Sequence, residues 1–212
     1  MNITEFMNQK FPGLELEPPL FYNWDVAIRF ELGVDYRKTD GENSVYINNV
    51  YIRAITLFKT LHLPEDEIFM VVNVNDFGNR KVFSHRLKVF SKYIKEKHVL
   101  YKLQQVTIPY GFPEDVEEEK YKTHRFSLKC KTSDIKYISL LKAICNHDMG
   151  FKPSISYDVF FINTTKETIF RVYDDRGSDL LASSPDKISH IYEQYNGWIL
   201  DYDRELIDEV FK

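Results

Sequence analysis

The chain has 212 residues and a mass of 25.2 kDa, with 43% hydrophobic and 28% charged residues, a balance that excludes a disordered or collagen-like chain. Its net charge of −4 argues against a general nucleic-acid binder. The longest apolar run, Ile68 to Val72, is far too short for a membrane span. The start, Met1-Asn2-Ile3-Thr4-Glu5, has neither the basic region nor the apolar stretch of a signal peptide. With only two cysteines, Cys130 and Cys145, the expectation is a cytoplasmic protein with free thiols and no membrane contact.

The first helix is expected over Thr4 to Lys10, where Ile3, Phe6, Met7 and Phe11 share a face and Pro12-Gly13 stops it. After a proline-containing connector, Trp24 to Leu32 alternates as a strand. Val26, Ile28, Phe30 and Leu32 point one way, and Asp25, Ala27, Arg29 and Glu31 the other. Residues 34–44 read as a polar loop. Tyr46 to Leu61 is an amphipathic helix by the spacing of Ile47, Val50, Ala54, Phe58 and Leu61. Ile68 to Val74 is apolar almost throughout, which suits a strand covered on both faces. Phe83, Leu87, Phe90 and Ile94 mark a basic helix. Alternation favours a strand over Val99 to Ile108, and an acidic loop follows to Lys120. His124 to Cys130 is the next strand. Ser133 is expected to cap a helix carrying Ile135, Ile138, Leu141 and Ile144.

The last third reads as a meander. Tyr157 to Asn163 and Thr168 to Tyr173 are strands, and Asp179 to Ala182 is a third after the Asp174-Asp175-Arg176-Gly177 turn. Two helices close the chain, capped by Ser184 and Asp203. The fold expected is a single α+β domain over residues 1–212. It has a mixed, largely antiparallel sheet with helices packed on it, built from two strand–helix–strand units, a C-terminal β-meander and two helices. The two units echo one another: Arg29-Phe30-Glu31-Leu32 and Arg125-Phe126-Ser127-Leu128 each precede a helix and a second strand. The order is also that of any α/β chain, so it does not require a duplication.

Several chemistries are missing as motifs. The eight glycines never lie closer than eight residues apart, so neither a dinucleotide fingerprint nor a phosphate loop is present. There is no Gly-x-Ser-x-Gly, Cys-x-x-Cys or His-Glu-x-x-His, and the six histidines are dispersed. No cofactor and no metal are expected.

The charges are unevenly laid out. Arg80 to Lys102 holds eight Lys/Arg and one acid, Glu96; Asp174 to Glu209 holds ten acids and three bases; Glu114 to Glu119 holds five acids in six positions. Asp25, Arg29 and Glu31 on the first strand, with Arg53 on the following helix, form either a structural ion pair, such as Glu31 with Arg53, or a pocket gripping a charged ligand. Asp174, Asp175 and Asp179 form either a solvated turn or, with poor calcium-loop spacing, a cation site. Asn146-His147-Asp148 offers a histidine oriented by a carboxylate, without an accompanying nucleophile motif. Lys81, Arg86, Lys88, Lys92 and Lys95 make a solvated helix face or a phosphate-contacting one. Asp174, Asp175, Asp201, Asp203 and Glu205, interleaved with Trp198 and Tyr202, suit a basic protein partner such as a nuclease toxin.

The runs PPLFYNWDVAIRFELG (18–33), VYIRAITLF (50–58), DEIFMVVNVNDF (66–77), RFSLKCKTSDIKY (125–137), LLKAICNHDMG (140–150), VFFINTTKETIFRVYDDRGSD (159–179) and YNGWILDYDRE (195–205) resemble the bacterial domain-of-unknown-function 3885 family. The resemblance runs from Phe11 to Phe211. It implies a small bacterial, cytoplasmic, single-domain protein and transfers no catalytic residue. From the missing catalytic motifs and the acidic C-terminal block, the function expected is a non-catalytic protein-binding module of immunity or antitoxin type. The alternative is a small-molecule-binding domain or enzyme using Asp25, Arg29, Glu31 and Arg53.

Overall fold

The computed structural model of the protein describes residues 1–78, 86–110 and 121–212. The strands are β1 (Ala27–Glu31), β2 (Glu67–Asp76), β3 (Gln104–Pro109), β4 (Lys122–Lys131), β5 (Asp158–Asn163), β6 (Thr168–Val172) and β7 (Gly177–Ala182). The helices are α1 (Ile3–Lys10), α2 (Val45–Leu61), α3 (Arg86–Tyr93), α4 (Tyr137–Cys145), α5 (Ser189–Gln194) and α6 (Arg204–Phe211). The strands form one sheet in the order β1-β7-β6-β5-β2-β4-β3. Every neighbouring pair is antiparallel.

The α+β arrangement and the closing meander are as the pattern predicts. The two strand–helix–strand units, β1-α2-β2 and β4-α4-β5, are also present. A helical crossover normally joins parallel neighbours. Here other strands lie between the joined ones: β2 separates β4 from β5, and three strands separate β1 from β2. The units therefore produce no parallel pairing among the described residues.

α2 and α4 pack together on one face of the sheet. α2 starts at Ser44, whose side chain accepts from the Ile47 amide, and buries Ile47, Val50, Ala54, Leu57, Phe58 and Leu61 along one stripe. The Phe58 ring meets Phe161 and Phe170 edge-on at 4.9 and 6.2 Å. α3 adds Phe90 against Phe126. The opposite face is covered by α1 and the connector after it. α1 is fixed by a reciprocal cap between Asn2 and Glu5. The Leu16 carbonyl accepts from Asn73 at 2.7 Å and from Arg125 at 3.1 Å. With both faces covered, β5, β6 and β7 are buried almost throughout, and in β5 this shows as the apolar run Val159 to Ile162.

Some boundaries differ from the sequence reading. β1 begins at Ala27, so Trp24 and Asp25 precede it. Lys97–Lys102 is a 3₁₀ turn, and only the later part of the expected 99–108 strand forms β3. Ser133 lies in a 3₁₀ turn, and Ile135 pairs with Ile94 before α4 begins. Ser184 opens another 3₁₀ turn, and α5 starts only at Ser189. Phe83 of the basic helix and the acidic block Glu114–Glu119 lie outside the described residues.

The sheet edges are treated differently. On the outer side of β1, Phe30 bridges to Ile199, the Leu200 amide donates to the Arg29 carbonyl at 2.9 Å, and Arg53 donates to the Glu31 carbonyl at 2.8 Å. β3 presents exposed Gln104, Gln105, Val106 and Thr107 and ends on Pro109, which has no amide proton to offer. Among the described residues no helix is long and apolar enough to cross a membrane.

Candidate functional site

β1, β7 and β6 place Arg29, Asp179 and Arg171 opposite one another on the face covered by the N-terminal connector. Arg29 Nε donates to Asp179 Oδ1 at 3.1 Å, and its Nη1 donates to Asp203 Oδ2 at 3.1 Å and to the Tyr22 hydroxyl at 3.2 Å. Tyr22 in turn donates to Asp203 Oδ1 at 2.9 Å. The guanidinium also lies over the rings of Phe21 and Tyr22, at 4.9 and 4.7 Å. Arg171 donates to Asp158 at 2.7 Å and approaches Asp179 Oδ2 to 3.8 Å, an ion-pair distance but not a hydrogen bond. Asp179 is fully buried. Burial pushes its carboxyl above the ordinary value, against the pull of Arg29 and Arg171. The network ties the connector (Tyr22), the sheet and the segment before α6 (Asp203) into one unit.

Asp203 stands at the N-cap of α6, but its side chain makes no capping bond. Both of its oxygens are taken by Tyr22 and Arg29.

A second internal cluster sits at the turn between β6 and β7. Tyr46 of α2 donates to Asp175 Oδ2 at 2.5 Å, and Asp174 accepts from the Arg176 amide at 2.7 Å and from its Nε at 2.9 Å. Arg176 also reaches Asp148 at 3.2 Å. Burial pushes the Asp175 carboxyl and the Tyr46 hydroxyl up. Gly33 is required here because a Cβ would stand 2.2 Å from the Tyr46 hydroxyl.

These placements revise the residue sets read from the sequence. Asp25, Arg29, Glu31 and Arg53 do not converge on one cavity. Asp25 is exposed beside Pro12, Gly13 and Trp24. Arg29 is committed to Asp179 and Asp203. Arg53 takes the carbonyl of Glu31 rather than its carboxylate and lies 5.1 Å from the Trp198 ring. The strand face is therefore neither the open pocket nor the Glu31–Arg53 ion pair. Asp174 and Asp175, each 5% exposed, and Asp203, 2% exposed, are internal anchors and cannot meet a partner directly. Asp148 pairs with Arg176 rather than orienting His147. Among the described residues, no three His, Cys, Asp or Glu side chains gather as a metal ion would need. In the basic helix, Lys81 lies outside the described residues, and Lys95 Nζ donates to the Ser133 carbonyl at 2.6 Å.

The sequence reading missed Asp179, Asp203 and Tyr22 as partners of Arg29, and Arg171 as the second cation on Asp179. The alternation within β7 sets Asp179 apart from Leu180, but its place opposite Arg29 depends on a register formed across 150 residues.

What remains exposed near the C-terminus is the outer side of α6 and the turn before it. Tyr202, Glu205, Leu206 and Glu209 follow three- and four-residue spacing and are all exposed, with Asp201 beside them. Asp203 and Ile207 are buried beneath. Trp198 is half-buried against Arg53 and Tyr195. Asp201 pairs with Arg204 at 2.9 Å, leaving its carboxylate in solvent.

Fold and surface together define an antiparallel α+β domain whose ionic interior is closed by its own side chains and whose last helix presents an acidic, partly apolar face. The chain belongs to the family described as Domain of unknown function (DUF3885), which matches residues 3–203. It is similar to the "Uncharacterized protein YnaE" of Bacillus subtilis (strain 168), with 34% identity over 211 residues, covering 95% of this chain and 99% of that protein. No solved structure matches it.

Proposed function

We propose that this protein is a non-catalytic binding module that meets a basic protein partner, in the manner of an immunity or antitoxin protein, through the outer face of α6 and the turn before it. The supporting observation is the pairing of large exposed apolar side chains with acids on an anchored base. Tyr202 is 85% and Leu206 54% exposed, flanked by Asp201, Glu205 and Glu209. Aromatic side chains on a rigid base bind at small ordering cost, and surrounding carboxylates steer a cationic partner. Tyr22, 52% exposed and bonded to Asp203, extends the patch. The single sheet supports treating residues 1–212 as one unit in this role.

The test is quantitative affinity capture with the native chain against two double variants, Tyr202→Ser with Leu206→Ser and Asp201→Lys with Glu205→Lys, all confirmed to melt alike. A basic protein held by the native chain and released by both variants supports the reading. No retained protein, or the same protein held by all three baits, overturns it. The immunity arm is read by co-expressing the captured protein: growth arrest relieved by the native chain and not by the variants is expected.

A further inference from the structure

A cleft of about 500 Å³ opens between α3, the residue that follows the last turn of α4, and the loop 152–157. Its size is within the range of small-molecule sites, roughly 300–1,000 Å³. Lys88 and Lys92 enter from α3, His147 from beyond α4, and Lys152 from the loop. No carboxylate lines it among the described residues. Among the described residues, the contacts of Lys152 and Lys92 are with neutral groups. Lys152 Nζ donates to the Ser154 hydroxyl at 2.9 Å, Lys92 lies 5.2 Å from the Tyr93 ring, and the nearby Asp148 is turned away onto Arg176. Lys88 and Lys92 are four residues apart on one helix and so share a face, a like-charge arrangement that is unfavourable in an isolated helix. A concave surface with one sign of charge focuses the field on an anion entering it. The cleft also has apolar material: Val89 and Ile155 are buried in its floor, and the half-buried Tyr157 ring forms part of its wall.

We propose that this cleft binds a small organic phosphate. The dianionic phosphoryl group is held by the ammonium groups of Lys88, Lys92 and Lys152, and the ring or apolar portion rests on Tyr157 and Ile155. Three mobile point charges suit a phosphoryl group approached from several sides. The site is separate from the α6 face and does not depend on it.

The test is a calorimetric titration of the full chain with inorganic phosphate and with adenosine monophosphate, at fixed ionic strength with chloride as control. Each titration is repeated on the Lys92→Glu, Lys152→Glu double variant. The substituted side chains are exposed, so the variant is expected to melt with the native chain. The expected result is saturable binding of both probes, tighter for the nucleotide, weakened by added salt, and weakened about tenfold or more in the variant. Failure of both probes to saturate at millimolar concentration overturns the proposal. So does equal binding by the variant. Binding of a single-stranded oligonucleotide with neither small phosphate bound also overturns it, in favour of a nucleic-acid backbone.

Discussion

His62 caps the C-terminal end of α2 from a fully enclosed position, and that makes acid stability a direct reading of the core. Its Nδ1 lies 2.9 Å from the Phe58 carbonyl, which can only accept, so the ring carries its proton on Nδ1. Nε2 is buried without a partner. The ring stacks on Phe58 at 4.1 Å and meets Phe161 and Phe170 edge-on at 6.3 and 6.4 Å. Burial is the main cause that lowers its pKa from 6.5 to about 4. Above pH 6.5 the ring is neutral in both the folded and the unfolded chain, and the group has no effect on stability. Between pH 6.5 and 4 the unfolded chain binds a proton that the folded chain refuses, so stability falls as the pH drops through that window. At roughly 1.4 kcal/mol per pKa unit, the loss is on the order of 3 kcal/mol. In His62→Phe the flat ring is kept, and the Phe58 carbonyl keeps its bond from the residue 62 amide at 3.0 Å. At pH 7 the variant is expected within about 1.5 kcal/mol of the native chain. Urea unfolding at intervals from pH 7.5 to 4 is the assay, and the difference between the two chains removes the contribution of the carboxylates common to both. Parallel stability curves over this window would refute the reasoning, as would a His62 ring that titrates above pH 6 by NMR.

Three further outcomes follow from the interior. Asp179→Asn removes the anion that Arg29 and Arg171 share, leaving them Asp203 and Asp158, and is expected to cost about 1.5–3 kcal/mol in denaturant unfolding; a loss below about 1 kcal/mol would show the network to be well hydrated. Gly33→Ala drives a methyl group into Tyr46 and the Asp175 carbonyl and is expected to cost about 1–3 kcal/mol, read as a lowered melting temperature; an unchanged melt would contradict the close approach. Burial pushes the Cys130 thiol up to about 12 and that of the fully enclosed Cys145 higher still, so both should resist a thiol reagent in the native state and react after unfolding, and rapid native labelling would contradict this.

Local pattern made much of the architecture legible. The 3.6-residue stripe of α2, the alternation of β1 and the continuous apolar runs of β2 and β5 each record how many faces the element buries, and that is a property of a short stretch of chain. The boundaries that moved are those where neighbours overrode propensity. Ile135 leaves the expected helix because Ile94 pairs with it, and residues 97–102 wind into a turn before β3.

The charged residues were the hard part. Asp174, Asp175 and Asp203 read like the exposed Asp201 and Glu205, because side-chain type says nothing about which acid finds a cation or hydroxyl across the fold. Arg29 reads as a cation on the charged side of the first strand, but its carboxylate partners lie 150 and 174 residues away. By itself the chain determined its elements, its α+β class and the absence of familiar catalytic motifs, since those depend on spacing within a few turns. Only the tertiary structure decided which carboxylates are internal anchors, that other strands lie between those joined by each helical crossover so that every pairing is antiparallel, and that three lysines from two segments line one cleft. Burial and ion pairing are set by residues brought together from opposite ends of the sequence.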